Sequence, residues 1–86
     1  MTPEAFLKEA LELIEGERTK EYGDSEKNHA RIAKMWSIIL KKEITVKEVY
    51  LCMIAIKLSR LTESPNHEDS WLDIVGYAAL AQKEDK

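Results

Sequence analysis

Ten consecutive residues, Val49 to Leu58, carry a single charge, on Lys57. Drawn as a helix at ~100° per residue, this run is apolar on almost every side. A helix of that kind is stable when other helices surround it. The run is far too short to cross a bilayer, which takes ~18–20 apolar residues. The chain therefore calls for a central helix with partners, and it has 86 residues in which to supply them. One helical domain over residues 1–86 is expected. A chain this short buries a modest fraction of its surface, and self-association is a common remedy.

The flanking sequence supplies three more helices and no strand. Thr2 can cap a first helix, with Pro3 suited to its first position. Phe6, Leu7, Ala10, Leu11, Leu13 and Ile14 recur at helical spacing, and the pattern predicts a helix to about Glu21. Tyr22-Gly23-Asp24-Ser25 reads as a turn, with Asp24 or Ser25 capping a second helix to about Leu40. Thr45-Val46-Lys47-Glu48 reads as a capping box, so the central helix starts there and ends near Glu63. Ser64-Pro65-Asn66 breaks the chain, and a fourth helix runs from about His67 through Ala81. Residues 83–86 are expected to fray. Short connections favour antiparallel neighbours, so the fold class is all-α: a compact, antiparallel, self-associating four-helix bundle. Trp36, Met53, Ile56 and Trp71 are expected to be largely buried. In the fourth helix Trp71, Ile74, Val75 and Ala78 form the expected core stripe.

Composition narrows the function. The chain is 44% hydrophobic and 34% charged, too apolar for disorder. A net charge of -3 gives no basic footprint for nucleic acid. There is no membrane span and no secretory signal, so a cytoplasmic home is expected. The lone Cys52 cannot form an internal disulfide, and its apolar setting predicts a buried free thiol.

Polar residues interrupt the apolar faces in a suggestive way. Asn28 and His29 flank the stripe of Ile32, Met35, Trp36 and Ile39 at its N-terminal end. Arg18 and Glu21 continue the first stripe, with Glu17 at its edge. Lys57 and Arg60 share a face with Val46, Val49, Tyr50 and Met53. Asp69 and Asp73 stand at i and i+4, so their carboxylates can reach one point. Gly76 beside Asp73 leaves room for a close approach. If the first and third helices end at one pole, the two turns gather Arg18, Tyr22, Asn28, Lys57, Arg60, His67, Asp69 and Asp73 there. An ion pair between Asp69 or Asp73 and Lys57 or Arg60 is expected across the last turn.

Tyr22-Gly23-Asp24, Asn28-His29-Ala30-Arg31-Ile32-Ala33 with Trp36, Met53 to Arg60, and Asp69-Ser70-Trp71-Leu72-Asp73-Ile74-Val75-Gly76-Tyr77-Ala78 resemble a group of small phage and prophage proteins of unknown function. That group is similar in turn to the MazG-like, all-α nucleoside triphosphate pyrophosphatases, through an acidic helix running Asp-Ile-x-Gly-Tyr-Ala. The resemblance implies magnesium held by carboxylates. Here Asp69 and Asp73 match that acidic element loosely; Glu17 and Glu21, which are no part of the motif, stand at i and i+4 as a second carboxylate pair.

Three functions follow as expectations. The first is a phage-type accessory protein binding a nucleotide or related phosphorylated small molecule. Arg18, Lys57 and Arg60 would hold phosphate, Tyr22, Trp36 or Tyr77 would stack a base, and Asn28, His29, Asp69 and Asp73 would complete the site. The second is a divergent magnesium-dependent nucleotide pyrophosphohydrolase, with metal as Lewis acid at Asp69 and Asp73. The third is a helical interaction module that binds a host protein, with a purely structural polar cluster. No catalytic residue is assigned.

Overall fold

The computed structural model describes residues 2–16 and 25–84. Among them stand four helices and no strand: α1 (Pro3–Glu15), α2 (Ser25–Leu40), α3 (Val46–Glu63) and α4 (Glu68–Ala81). The architecture is a compact all-α four-helix bundle, as the periodicity indicates.

Local chemistry sets most helix ends. Thr2 caps α1 by accepting from the Ala5 N–H at 3.1 Å, and Pro3 follows at the first helical position. The α1 helix stops at Glu15, earlier than the apolar pattern suggests. Gly16 leaves the helix, and a Cβ there would lie 2.5 Å from the Glu12 carbonyl oxygen. The Asp24 cap falls outside the described residues, as does the Tyr22–Asp24 turn.

At the end of α2, Lys41 takes a left-handed φ of 56°. The Lys42 N–H then reaches back to the Ser37 carbonyl at 3.3 Å, closing the Schellman-type end. The Ser37 hydroxyl donates to the Ala33 carbonyl at 2.7 Å and accepts from the Ile44 N–H at 2.9 Å. One side chain thus stitches the α2–α3 connection to the helix before it. The capping box forms as its sequence requires, with Thr45 and Glu48 bonded reciprocally. His67 caps α4 through its ring, the imidazole Nδ1 accepting from the Ser70 N–H at 3.3 Å.

Packing is densest between α3 and α4, with α1 laid on α4 and α2 on α3. Val49, Tyr50, Leu61, Leu72, Ala10, Ala33 and Ala81 are buried. The end of α1 does not share a pole with the end of α3. Its start does: Thr2, Pro3 and Phe6 line a groove of about 420 Å³ with Pro65, Asn66, Glu68 and Trp71. Ile14, near the end of α1, faces Gly76 in the second half of α4. The α1 and α4 helices therefore run side by side in the same direction.

The expected core needs correction. Ile56 is 55% exposed and Trp71 47% exposed, while Met53 and Trp36 are half-buried. In α4 the buried residues are Ser70, Leu72, Asp73 and Ala81, and Ala78 is exposed. The reason is that α4 carries apolar side chains on several faces, so hydrophobicity alone leaves its phase open. The face toward α3 is chosen by Asp73, whose counter-ion sits on α3. Cys52 is exposed rather than buried, because it lies on the outer side of α3.

Candidate functional site

The polar residues converge in the α3–α4 seam. Tyr50 and Lys57 are two turns apart on one face of α3. Asp73 and Tyr77 are one turn apart on one face of α4. The antiparallel approach of the helices sets Lys57 against Asp73 and Tyr50 against Tyr77. Lys57 Nζ lies 3.1 Å from Asp73 Oδ2. This is one of the pairs expected across the turn, and it sits well inside the bundle, with Asp73 buried.

One turn away from Asp73 toward the opposite pole is an aromatic cluster of three rings from three helices. His29 of α2 stacks on Tyr50 with centroids 4.4 Å apart and planes at 24°. Tyr77 meets His29 edge-on at 5.7 Å, and its ring lies 6.0 Å from that of Tyr50. His29 is buried, and Tyr50 is fully so. Such ring pairs contribute ~0.5–1.5 kcal/mol beyond their burial. Beyond this cluster Glu26 at the start of α2 pairs with Lys83 after α4. The hydrogen bond to Glu26 holds the Lys83 ammonium above its ordinary range. Both groups are about half exposed, so the pair adds little stability.

At the other end of the seam, Ser70 is fully buried beneath the α3–α4 turn. Its Oγ lies 2.7 Å from His67 Nδ1. The Trp71 indole N–H donates to the Pro65 carbonyl at 2.9 Å, which fixes the ring across the turn.

The remaining expected site residues are scattered. Asp69 and Arg60 are exposed, and Asn28 is half-buried. Asp69 and Asp73 do not act as a pair, since Asp73 turns inward to Lys57. Arg18 and Tyr22 lie outside the described residues, together with Glu17 and Glu21. Among the described residues no three His, Cys, Asp or Glu side chains converge as a metal site. These residues alone do not fit magnesium, which wants several carboxylates or phosphate oxygens.

The sequence marks His29, Lys57 and Asp73 as polar intrusions and Tyr77 as a base-stacking candidate, but gives Tyr50 no role. Its signal was its place two turns before Lys57 on the same face. The cap formed by His67 and Ser70 was also missed, because histidine is an uncommon N-cap.

No helix among the described residues is long and apolar enough to cross a membrane. Comparison with known proteins gives two phage relatives. The Gene 55 protein of Mycobacterium phage L5 is 39% identical over 80 residues, covering 92% of this chain and 51% of that protein. The Gene 55 protein of Mycobacterium phage D29 is 40% identical over 80 residues, covering 93% of this chain and 53% of that protein. The chain thus spans about half the length of these relatives. No solved structure matches it. A family model matches residues 5–84, nearly all of the bundle just described. By that match the chain belongs to the family described as Domain of unknown function (DUF6378), whose phage relatives bear out the resemblance to small phage proteins of unknown function.

Proposed function

We propose that this chain is a phage-type accessory module that docks its outer apolar helical surface onto another helical protein surface, while its inner polar seam is structural. One observation carries the reading. Large apolar side chains stand outside the core: Ile38 is 77% exposed, Ile39 71% and Leu51 58%. Isolated exposed apolar residues are ordinary, whereas recurrent ones along α2 and α3 indicate a surface meant to be covered. The seam supports the same reading from the inside. Lys57 already has its counter-ion, and His29 and Tyr50 are stacked on each other within the bundle.

Nucleotide binding is the second reading. It draws on Arg60 and Asp69, both exposed around the α3–α4 corner, and on the MazG-like resemblance. Magnesium-dependent hydrolysis would need carboxylates beyond Asp69, because Asp73 faces Lys57.

A thermal-shift screen against nucleotides, with and without magnesium, separates the two. The docking reading expects an unchanged melting temperature throughout. Magnesium-dependent stabilisation by a nucleotide would overturn it and favour the enzyme.

A further inference from the structure

The N-termini of α1 and α4 open onto one groove of about 420 Å³, and its lining has a definite chemistry. Pro3, Phe6 and Pro65 give apolar walls, Trp71 an aromatic ring, and Asn66 and Glu68 polar groups. The Trp71 ring is 47% exposed yet held in one orientation, because its indole N–H donates to the Pro65 carbonyl. Glu68 and Trp71 stand three residues apart on α4, so they are neighbours on one face. Among the described residues, neither the Glu68 carboxylate nor the Asn66 carboxamide has a hydrogen bond or ion pair.

Charge decides what the groove can hold. A helix N-terminus carries about half a positive charge. Against the two that meet here stand the full negative charges of Glu4, Glu68 and Asp69 in the first turns. Lys8 and Arg60, the cations nearest along the chain, do not line the groove. The field is therefore negative, which disfavours phosphate and favours a cation. A cation beside both an aromatic ring and a carboxylate is attracted by each. Guanidinium suits this pair better than ammonium: it is planar and weakly hydrated, stacks on aromatic faces, and forks onto a carboxylate. The Asn66 carboxamide, with donors and an acceptor, matches the groups of a peptide backbone. We infer that this groove binds an arginine side chain presented by a peptide segment of a partner protein. The guanidinium lies between Trp71 and Glu68, and the backbone beside it pairs with Asn66. The side chains invoked for docking, Ile38, Ile39 and Leu51, do not line this groove, so the inference goes beyond that reading and does not rest on it.

An NMR titration of the whole chain tests this, read at the Trp71 indole N–H, whose resonance is identified by its loss in Trp71→Phe. The probes are acetyl-Gly-Arg-Gly-amide, the same peptide with citrulline for arginine, methylguanidinium and inorganic phosphate. The arginine peptide should shift the resonance saturably, with millimolar affinity that falls as salt rises. Glu68→Gln should keep its helical circular dichroism and weaken this binding about five- to tenfold. The citrulline peptide, similar in shape but neutral, should bind about tenfold more weakly or not at all. Methylguanidinium, which has no backbone to offer Asn66, should also bind more weakly than the peptide. If Glu68→Gln fails to fold, the comparison of arginine with citrulline decides. An arginine peptide that leaves the resonance unmoved at millimolar concentration overturns the inference. So does a citrulline peptide that binds equally well, or a folded Glu68→Gln protein with undiminished affinity. Methylguanidinium binding as tightly as the peptide overturns the assignment to a partner protein. A shift with phosphate instead of the arginine peptide overturns the sign of the field and the inference with it.

Discussion

Lys57 Nζ lies 3.1 Å from Asp73 Oδ2, and the two side chains are 19% and 5% exposed. This contact joins the middle of α3 to the middle of α4, where the two helices pack most densely. Bringing both charges out of water costs several kcal/mol, and their attraction offsets that cost only while the pair is intact. The pair therefore fixes which face of α4 meets α3. Without Asp73, the apolar residues of α4 would allow more than one rotation. With it, Trp71 turns outward and Leu72 inward.

The Trp71 side chain should then contribute less than a buried tryptophan. Truncating a buried one typically costs ~3–5 kcal/mol. Trp71→Ala should cost about half of that or less, since the ring is 47% exposed. Trp71→Phe should lose mainly the bond to the Pro65 carbonyl, about 1 kcal/mol. Urea denaturation of both variants checks this. A full core-sized loss in the alanine variant would contradict the placement of Trp71.

Gly76 should tolerate a methyl group and nothing much larger. A Cβ there would lie 3.8 Å from Ile14 Cγ1, ordinary van der Waals contact. Gly76→Ala should raise stability by about 0.5–1 kcal/mol, through helix propensity. Gly76→Leu should push α1 away from α4 and lower the melting temperature. A destabilised alanine variant would mean that the two helices approach more closely than this.

The capping box predicts a pH dependence. The Thr45 backbone N–H, and then its hydroxyl, hold the Glu48 carboxyl below its ordinary value of 4.5. A carboxyl lowered by folding adds stability above its unfolded pKa and loses it as pH falls through the folded one. The wild type should therefore weaken as pH drops below about 4.5. Glu48→Gln should show a shallower loss over that range, measured by chemical denaturation at several pH values. Equal slopes would show that the capping interaction is absent in solution.

The cap of α4 gives a fourth test. The His67 ring nitrogen accepts from the Ser70 N–H, so His67→Ala should cost about 1 kcal/mol. His67→Asp should restore or exceed wild-type stability, because aspartate is the better N-cap and suits the helix dipole. Thermal melts of the two variants should fall on opposite sides of the wild type, or with aspartate level with it. An aspartate variant as weak as the alanine one would rule out the cap.

Helix number and most helix ends were legible in the sequence, because capping chemistry is local. Thr2-Pro3, Thr45 with Glu48, and the Ser64-Pro65-Asn66 break each act within a few residues. The inner face of α3 was legible too, since Lys57 and Tyr50 share it with Val49 and Met53. The rotation of α4 was not, because it depends on a partner elsewhere in the chain. The burial of Ile56 and Cys52 was misjudged for a related reason. A helix that is apolar all round shows that it needs neighbours but not that the same chain provides them. Of the candidate site, His29, Lys57, Asp73 and Tyr77 proved to be neighbours in or beside one seam. Asp69 and Arg60 shared their sequence setting but point to solvent, a difference of one helical turn.

The most direct test of the seam as structure is a set of equilibrium denaturation curves for Asp73→Ala, Lys57→Met and Lys57→Met/Asp73→Leu. Removing Asp73 alone leaves a mostly buried ammonium without its carboxylate, and should cost about 2–4 kcal/mol. Replacing both charges with apolar groups of similar size should recover most of that loss, as breaking one partner is worse than removing the pair. An Asp73→Ala protein as stable as wild type, or a double variant no better than Asp73→Ala, would contradict a structural seam and return Asp73 to the candidates for ligand or metal binding.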